Sequence, residues 1–286
     1  MAQNASNDAG NSNGRAGQPI RLVALDLDET MLRSDRELAP SVVEAVATCR
    51  QRGVRIVLAS ARPPRSTRAI QEQLGLDSLQ INYNGALIID PNQPKPVYHQ
   101  PMSVRLTHRL IVTARKLDRN CLISIEILDR WYTDHFDPTY STVSAQHSEP
   151  DAIGPLDSFL TEPVTKMMVL GPPPRISTLR GALIHHFGRR LAFQTSDEHL
   201  LQIVHRSVDK AAALKRVAKH YKIKQPQVMA VGDAPNDCRM LQWAGLGAAV
   251  RNAWPEAIQA ADVVVPSNDE DGVAYALNRF VLDEAT

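Results

Sequence analysis

Apolar and polar positions fall along this chain in blocks with two different periods. Arg21 to Asp28 (RLVALDLD) is a short apolar run ending in acids, the pattern of a strand buried on both faces. Val42, Val43, Val46 and Cys49 then recur at helical spacing, and Gly53 stops that helix. Val54 to Ser60 (VRIVLAS) reads as a second buried strand. Pro63 and Pro64 break the chain before a helix near Ser66 to Leu74, and Leu79 to Asn82 gives a third strand. Strands alternating with helices predict a parallel sheet with crossover helices.

The pattern changes at Asn84-Gly85, a turn signal. ALIID, PVYH, LISIEIL and RWYT read as antiparallel strands. Lys166 to Gly171 and Leu191 to Thr195 read as further strands with a helix between them. The parallel pattern resumes with the strand Gln227 to Asp233. A helix over 237–244, the strand GLGAAV, a helix over 255–260, the strand DVVVP and a helix over 271–280 complete the chain. The fold class predicted is α/β: a doubly wound parallel-sheet core over residues 20–85 and 200–286, with an inserted α+β cap domain over 86–199. Residues 1–19 are rich in Asn, Gly and Ser and lack the apolar stretch of a secretory signal, so a disordered leader is expected there.

Composition narrows the function. The chain has 286 residues, enough for a sizeable core in one large domain or two smaller ones. Lys and Arg number 32 against 31 Asp and Glu, a formal charge of +1, which argues against a dedicated nucleic-acid binder. No apolar run approaches the roughly 18 residues of a membrane helix. The cysteines, Cys49, Cys121 and Cys238, are few, odd in number and far apart, so neither a disulfide framework nor a thiolate zinc site is expected and a cytoplasmic location fits. Gly245-Leu246-Gly247 lacks the third glycine of a dinucleotide fingerprint.

Three buried strands end in polar residues: the first in Asp26 and Asp28, the second in Ser60, the third in Gly232-Asp233. Ligands of open α/β sheets bind outside the carboxyl ends of parallel strands, so these side chains are expected to converge. Carboxylates so placed repel by several kcal/mol at 4 Å unless a cation or a shared proton sits among them. An all-oxygen site with open positions suits Mg²⁺, which also shares substrate phosphate oxygens. The alternative is that these acids cap strands and helices. A carboxylate can attack phosphorus, and a neighbouring carboxyl can shuttle the proton. Ser60, helix N-termini near Thr30 and Arg62, and Lys210 are candidates to surround the transferred group.

Taken together, these stretches resemble the haloacid dehalogenase superfamily. DLDET (Asp26 to Thr30) resembles its first motif, LASAR (Leu58 to Arg62) its second, Lys210 in SVDKAAAL its third and GDAPND (Gly232 to Asp237) its fourth. Asn84-Gly85-Ala86, Asn252-Ala253 and Glu270-Asp271-Gly272, with the insert between the second and third motifs, resemble the Cof-type branch. The resemblance implies a magnesium-dependent phosphatase of small phosphorylated metabolites, often sugar phosphates, acting through an aspartyl phosphate. By position it makes Asp26 the nucleophile and a metal ligand. Asp28 becomes the acid/base, its backbone carbonyl also on the metal, and Asp233 the third metal ligand. It assigns the phosphate or substrate to Thr30, Ser60, Arg62, Lys210 and Asn236, and support of the metal shell to Asp237. The chain departs from the pattern at Glu29 and Ala61, where the family usually has Gly, and at Gln202, where the branch often carries an acid. A phosphomutase or phosphotransferase, or a non-catalytic phosphometabolite-binding regulator, remains the alternative. The expected partner is a small phosphorylated metabolite, with no nucleic acid and no membrane, in a monomer or homodimer. Arg65 and Arg68 are expected to be solvated, as is the basic stretch Arg105, Arg109, Arg115, Lys116 and Arg119. Glu126, Trp131, Tyr132 and His135 are candidates to face substrate.

Overall fold

The structure, a computed structural model, describes residues 18–135, 137–140 and 148–283. The leader expected over 1–19 lies outside the described residues apart from Gln18 and Pro19. The chain runs β1 (Leu22–Leu25), α1 (Pro40–Gln51), β2 (Arg55–Leu58), α2 (Pro64–Gln73), β3 (Gln80–Asn82), β4 (Leu87–Ile89), β5 (Tyr98–His99) and α3 (Val104–Leu117). It continues through β6 (Leu122–Ile127), β7 (Arg130–Thr133), β8 (Ala152–Ile153), α4 (Leu156–Phe159), β9 (Lys166–Leu170), α5 (Pro173–Phe187), β10 (Leu191–Asp197) and β11 (Leu200–His205). It ends with α6 (Lys210–His220), β12 (Val228–Gly232), α7 (Cys238–Trp243), β13 (Leu246–Val250), α8 (Pro255–Ala260), β14 (Val263–Val265) and α9 (Gly272–Leu277).

The first sheet has the order β14-β13-β12-β1-β2, and every pairing in it is parallel. Strand β1 is flanked on both edges, and α1 packs on α9 while α6 packs on α7, so two helix layers accompany the sheet. That is why LVAL is buried at every position instead of alternating. Leu25 and Val231 are register partners, so the residues that follow, Asp26 and Asp233, leave the sheet at the same carboxyl edge. Strand β3 meets β2 through a parallel bridge, Ala59 to Ile81, then turns into an antiparallel sheet with β4 and β5.

The third sheet has the order β10-β11-β9-β6-β7-β8 and is antiparallel except between β7 and β8. Ile123, Ile125, Met167, Val169, Leu201 and Ile203 on one face pack against Leu110, Ile111, Leu179 and Leu183 of α3 and α5. Glu126, Lys166 and Gln202 share the other face, by strand alternation and register. Residue 200 was expected to open the returning core. Instead β11 pairs with β10 and β9, and the chain returns only after His205. A central strand flanked on both edges reads like a core strand, which hid its allegiance. Among the described residues, no helix is long and apolar enough to cross a membrane, and all three cysteines are free.

Candidate active site

Asp26 is placed by β1 and is 6% exposed; its N–H donates to the Val231 carbonyl at 3.0 Å. Asp233 follows β12 and is equally buried. Lys210 is the first residue of α6, which Asp209 caps by accepting the Ala212 N–H at 2.7 Å. The lysine is 1% exposed, and its Nζ donates to Asp26 Oδ1 at 2.5 Å and Asp237 Oδ1 at 2.7 Å. The other oxygen of Asp237 accepts the N–H groups of Asp233 (3.2 Å) and Ala234 (3.1 Å). Asp237 therefore folds back over its own loop. A Cβ on Gly232 would stand 2.7 Å from the Asp237 Cγ, so the glycine of this motif is required by packing.

Oxygens of Asp26, Asp233 and Asp237 all lie within 4.8 Å of one another. Three carboxylates face one ammonium, so two negative charges are left in excess at a buried place. Burial pushes the Asp26 carboxyl well above the usual range; Lys210 acts the other way, while Asp237, Asp233 and Asp28 add to the rise. Asp233 is pushed up to about 6, by burial and then by Asp237, against the Thr30 hydroxyl and Lys210. Burial alone would lower Lys210, but Asp237 and Asp26 outweigh it and hold the ammonium above its usual range. A hard divalent cation fits this donor set and its charge excess.

The other expected residues surround this cluster, some with different commitments. The Ser60 Oγ is buried and accepts the Arg62 N–H at 3.1 Å. The carboxylate of Asp28 does not join the acidic cluster: Arg62 grips it with Nε at 3.0 Å and with a second, shorter bond from its terminal nitrogen. Arg62, expected on phosphate, is paired here with the expected acid/base. Thr30 was also expected at the phosphate. Its hydroxyl donates to Asp233 Oδ1 at 2.7 Å, because the turn after β1 lies against the loop after β12. Asn236 donates from Nδ2 to Asn84 Oδ1 at 2.9 Å.

Glu29 takes a left-handed backbone, φ 56°, where the related family usually has Gly. Asn252 holds that turn by donating to the Glu29 carbonyl at 2.8 Å, and Asn268 donates to the Leu32 carbonyl at 3.0 Å.

Arg65 is not solvated. Only 18% of its side chain is exposed, and it pairs with Glu126 at 2.9 Å. Glu126, 1% exposed, also meets Lys166 at 3.3 Å and the Tyr83 hydroxyl at 2.6 Å. Asp129 of the β6–β7 turn accepts the Arg65 N–H at 2.8 Å and so caps α2, whose own N-cap residue, Pro63, offers no side chain for it. Arg68 stays exposed, as expected. Trp131 is buried in a cluster with Leu122 and Met168, Tyr132 stacks on Phe159, and His135 is exposed. The sequence offered little notice of Lys166 or Gln194. The dipeptide Asn84-Gly85 did signal a turn, and both residues have positive φ, 56° and 99°.

The model of the haloacid dehalogenase-like hydrolase family matches residues 23–277. The chain belongs to that family. It is thus an enzyme of the haloacid dehalogenase-like hydrolases, of the Cof type that its motifs resembled. A 5-amino-6-(5-phospho-D-ribitylamino)uracil phosphatase of Bacillus subtilis is 26% identical over 267 residues, which cover 91% of this chain and 97% of the relative. An HMP-PP phosphatase of Yersinia enterocolitica is 26% identical over 263 residues, 91% of this chain and 95% of the relative. The crystal structure of a haloacid dehalogenase-like hydrolase from Bacteroides thetaiotaomicron superposes with a TM-score of 0.84 at 26% identity, covering 91% of this chain and 99% of that one. A subclass IIB sugar phosphatase of the superfamily shares the fold, with a TM-score of 0.77 at 17% identity over 91% of this chain and 98% of the other.

Proposed function

We propose that this hydrolase is a magnesium-dependent phosphatase of small phosphorylated metabolites, sugar phosphates among them, working in the cytoplasm through an aspartyl phosphate. The observation that carries the reading is the buried group Asp26, Asp233, Asp237 and Lys210 at the carboxyl edge of the parallel sheet. The phosphatase names of the relatives support the same chemistry.

Asp26, Asp233 and the backbone carbonyl of Asp28 would hold Mg²⁺, with Asp237 and Thr30 bracing its ligands. When bound, the ion cancels the excess negative charge and draws an anionic phosphoryl group against Asp26. A carboxylate oxygen of Asp26 attacks phosphorus as the bond to the ester oxygen breaks. Asp28, released from Arg62 and protonated in the substrate complex, gives that proton to the departing alkoxide. Water then attacks phosphorus, Asp28 takes the water's proton, and the bond from phosphorus to Asp26 breaks. One ester and one water thus become one alcohol and one inorganic phosphate, with both acids restored. Ser60, Lys210 and Asn236 hold the phosphoryl oxygens through each transfer. In this reading the parallel-sheet core supplies the chemistry, and the inserted sheet of β6–β11 covers it and excludes water.

The test is release of inorganic phosphate from p-nitrophenyl phosphate with and without Mg²⁺. Wild-type turnover should need the metal, and Asp26→Asn should lose at least about a thousandfold in kcat while still folding. Turnover by that variant at the wild-type rate would remove Asp26 from its role. With a sugar bisphosphate as substrate, recovery of a rearranged phosphate ester in place of free phosphate would turn the reading toward a mutase.

A further inference from the structure

A chain of three side-chain amides runs from the metal loop to the inserted sheet. Asn236 Nδ2 donates to Asn84 Oδ1 at 2.9 Å, and Asn84 Nδ2 donates to Gln194 Oε1 at 2.5 Å. Asn84 is buried, left-handed, and fixed by its N–H donating to the Ser60 carbonyl at 3.0 Å. Beside it, a Cβ on Gly85 would stand 2.6 Å from the Asp209 carbonyl, so the turn is wedged against the start of α6. A primary amide has one acceptor oxygen and a nitrogen with two N–H groups. With the donors pointing one way along the chain, the Nε2 group of Gln194 is its outer end.

Strand geometry sets where that end points. Phe193 packs toward the α3 and α5 side of the sheet, whereas Ala192 packs into the cluster of Tyr83 and Val204. Alternation puts Gln194 on the Ala192 face, turned toward the Tyr83-Asn84-Gly85 turn and the core. Its register partner is Gln202. The charges nearby are paired with one another: Lys166 and Arg65 both meet Glu126, and Arg65 and Arg68 both meet Asp129. Gln194 and Gln202 therefore bring amide groups to this face, beside cations already committed to carboxylates. That chemistry matches the hydroxyls of a neutral polyol or sugar better than a second phosphate, which would call for an unpaired cation.

We propose that Gln194 determines substrate preference by donating from Nε2 to a hydroxyl oxygen of the leaving group, and that Asn84 is the residue that positions it. This deepens the phosphatase reading and rests on it. One train of amides then holds both ends of the ester, Asn236 at the phosphate and Gln194 at the alcohol.

The experiment compares ribitol phosphate, whose leaving group carries hydroxyls, with phenyl phosphate, whose leaving group carries none. Gln194→Leu should lower the ratio of kcat/KM for ribitol phosphate over phenyl phosphate about tenfold, the worth of one hydrogen bond. Asn84→Gly keeps the left-handed backbone, removes the amide, and should lower the ratio in the same direction. A ratio within twofold of wild type in both variants overturns the proposal, as does a ratio changed only in a protein that has lost its circular-dichroism signature. Calorimetric titration with ribitol phosphate separates this proposal from the reading beneath it. If the wild-type chain hydrolyses neither ester, the phosphatase reading falls. Tenfold weaker binding of ribitol phosphate by Gln194→Leu would still support the contact, and equal binding would sink it.

Discussion

Asp26 and Lys210 stand 184 residues apart in the chain and 2.5 Å apart in the fold. Among the described residues the lysine is the sole cation meeting Asp26 and Asp237, and it does not balance the acids. Its loss and the loss of an acid should therefore have opposite signs in metal-free protein. Lys210→Met leaves buried carboxylates without a counter-charge and should cost about 3–5 kcal/mol. Asp26→Asn removes one charge that burial already disfavours and should raise the melting temperature by a few degrees. Thermal denaturation of both variants in EDTA checks the pair. Adding Mg²⁺ should narrow both differences from wild type.

The same imbalance sets a pH dependence. A carboxyl whose folded value is raised binds its proton more tightly in the native state than in the unfolded one. Its contribution is complete below its unfolded value and is lost as pH rises through the folded value. For Asp233 that window runs from 3.8 up to about 6, with Asp26 adding in the same direction. Metal-free protein should lose roughly 3 kcal/mol of stability across it. Urea unfolding at pH 5 and pH 7 in EDTA reads the upper part of that window, about 1 kcal/mol of the loss from Asp233, and saturating Mg²⁺ should reduce it. A metal-free protein more stable at pH 7 than at pH 5 would contradict the raised values.

Gly232 is held to its identity by the carboxylate folded over it. The Cβ of Gly232→Ala would fall 2.7 Å from both Cβ and Cγ of Asp237. Asp237 then has to move, releasing Lys210 and the N–H groups of Asp233 and Ala234 together. A loss of about 2–3 kcal/mol and of at least a hundredfold in kcat is expected. Melting curves and phosphate release read the two effects separately.

Glu29 occupies a backbone conformation that costs a residue with a Cβ about 1 kcal/mol. Its carbonyl, not its carboxylate, receives the Asn252 amide, so Glu29→Gly keeps the clamp and drops the strain. The variant should melt about 2–4 °C higher. It also removes a negative charge from the turn that carries Asp28, and KM for a phosphate dianion should fall by a few-fold. A lower melting temperature would show that the side chain contributes more than it costs.

The positions of Asp26, Ser60, Lys210 and Asp233 were legible because strand ends and helix starts are local patterns, and a parallel sheet gathers strand ends at one edge. The partners of their neighbours were not. Thr30 reaches Asp233 across 203 residues, and Arg62 turns back on Asp28 across 34. Nothing in LDET or SARP distinguishes a side chain aimed at substrate from one that holds a carboxylate. The boundary at 200 failed for a related reason. Periodicity reports that β11 is buried on both faces, but not which sheet buries it. Arg65, one of three arginines in seven residues, looked like ordinary surface charge until the turn after β6 closed over it.

That closure rests on Glu126, the carboxylate shared by Arg65, Lys166 and Tyr83. It joins α2, which follows the Ser60 loop, to strands β6 and β9 of the inserted sheet. Its cations keep it below the usual carboxylate range even though burial pushes the other way. Glu126→Leu leaves Arg65 and Lys166 facing each other in a buried place and should cost about 3–5 kcal/mol. Lys166→Met alone should cost less, because Arg65 still meets Glu126. In Glu126→Leu with Lys166→Met the desolvation of both charges disappears, and the double variant should be more stable than the sum of its parts by at least about 1 kcal/mol. Urea unfolding of the cycle measures that coupling. Strict additivity would mean that Glu126 and Lys166 do not act as a pair within the inserted sheet.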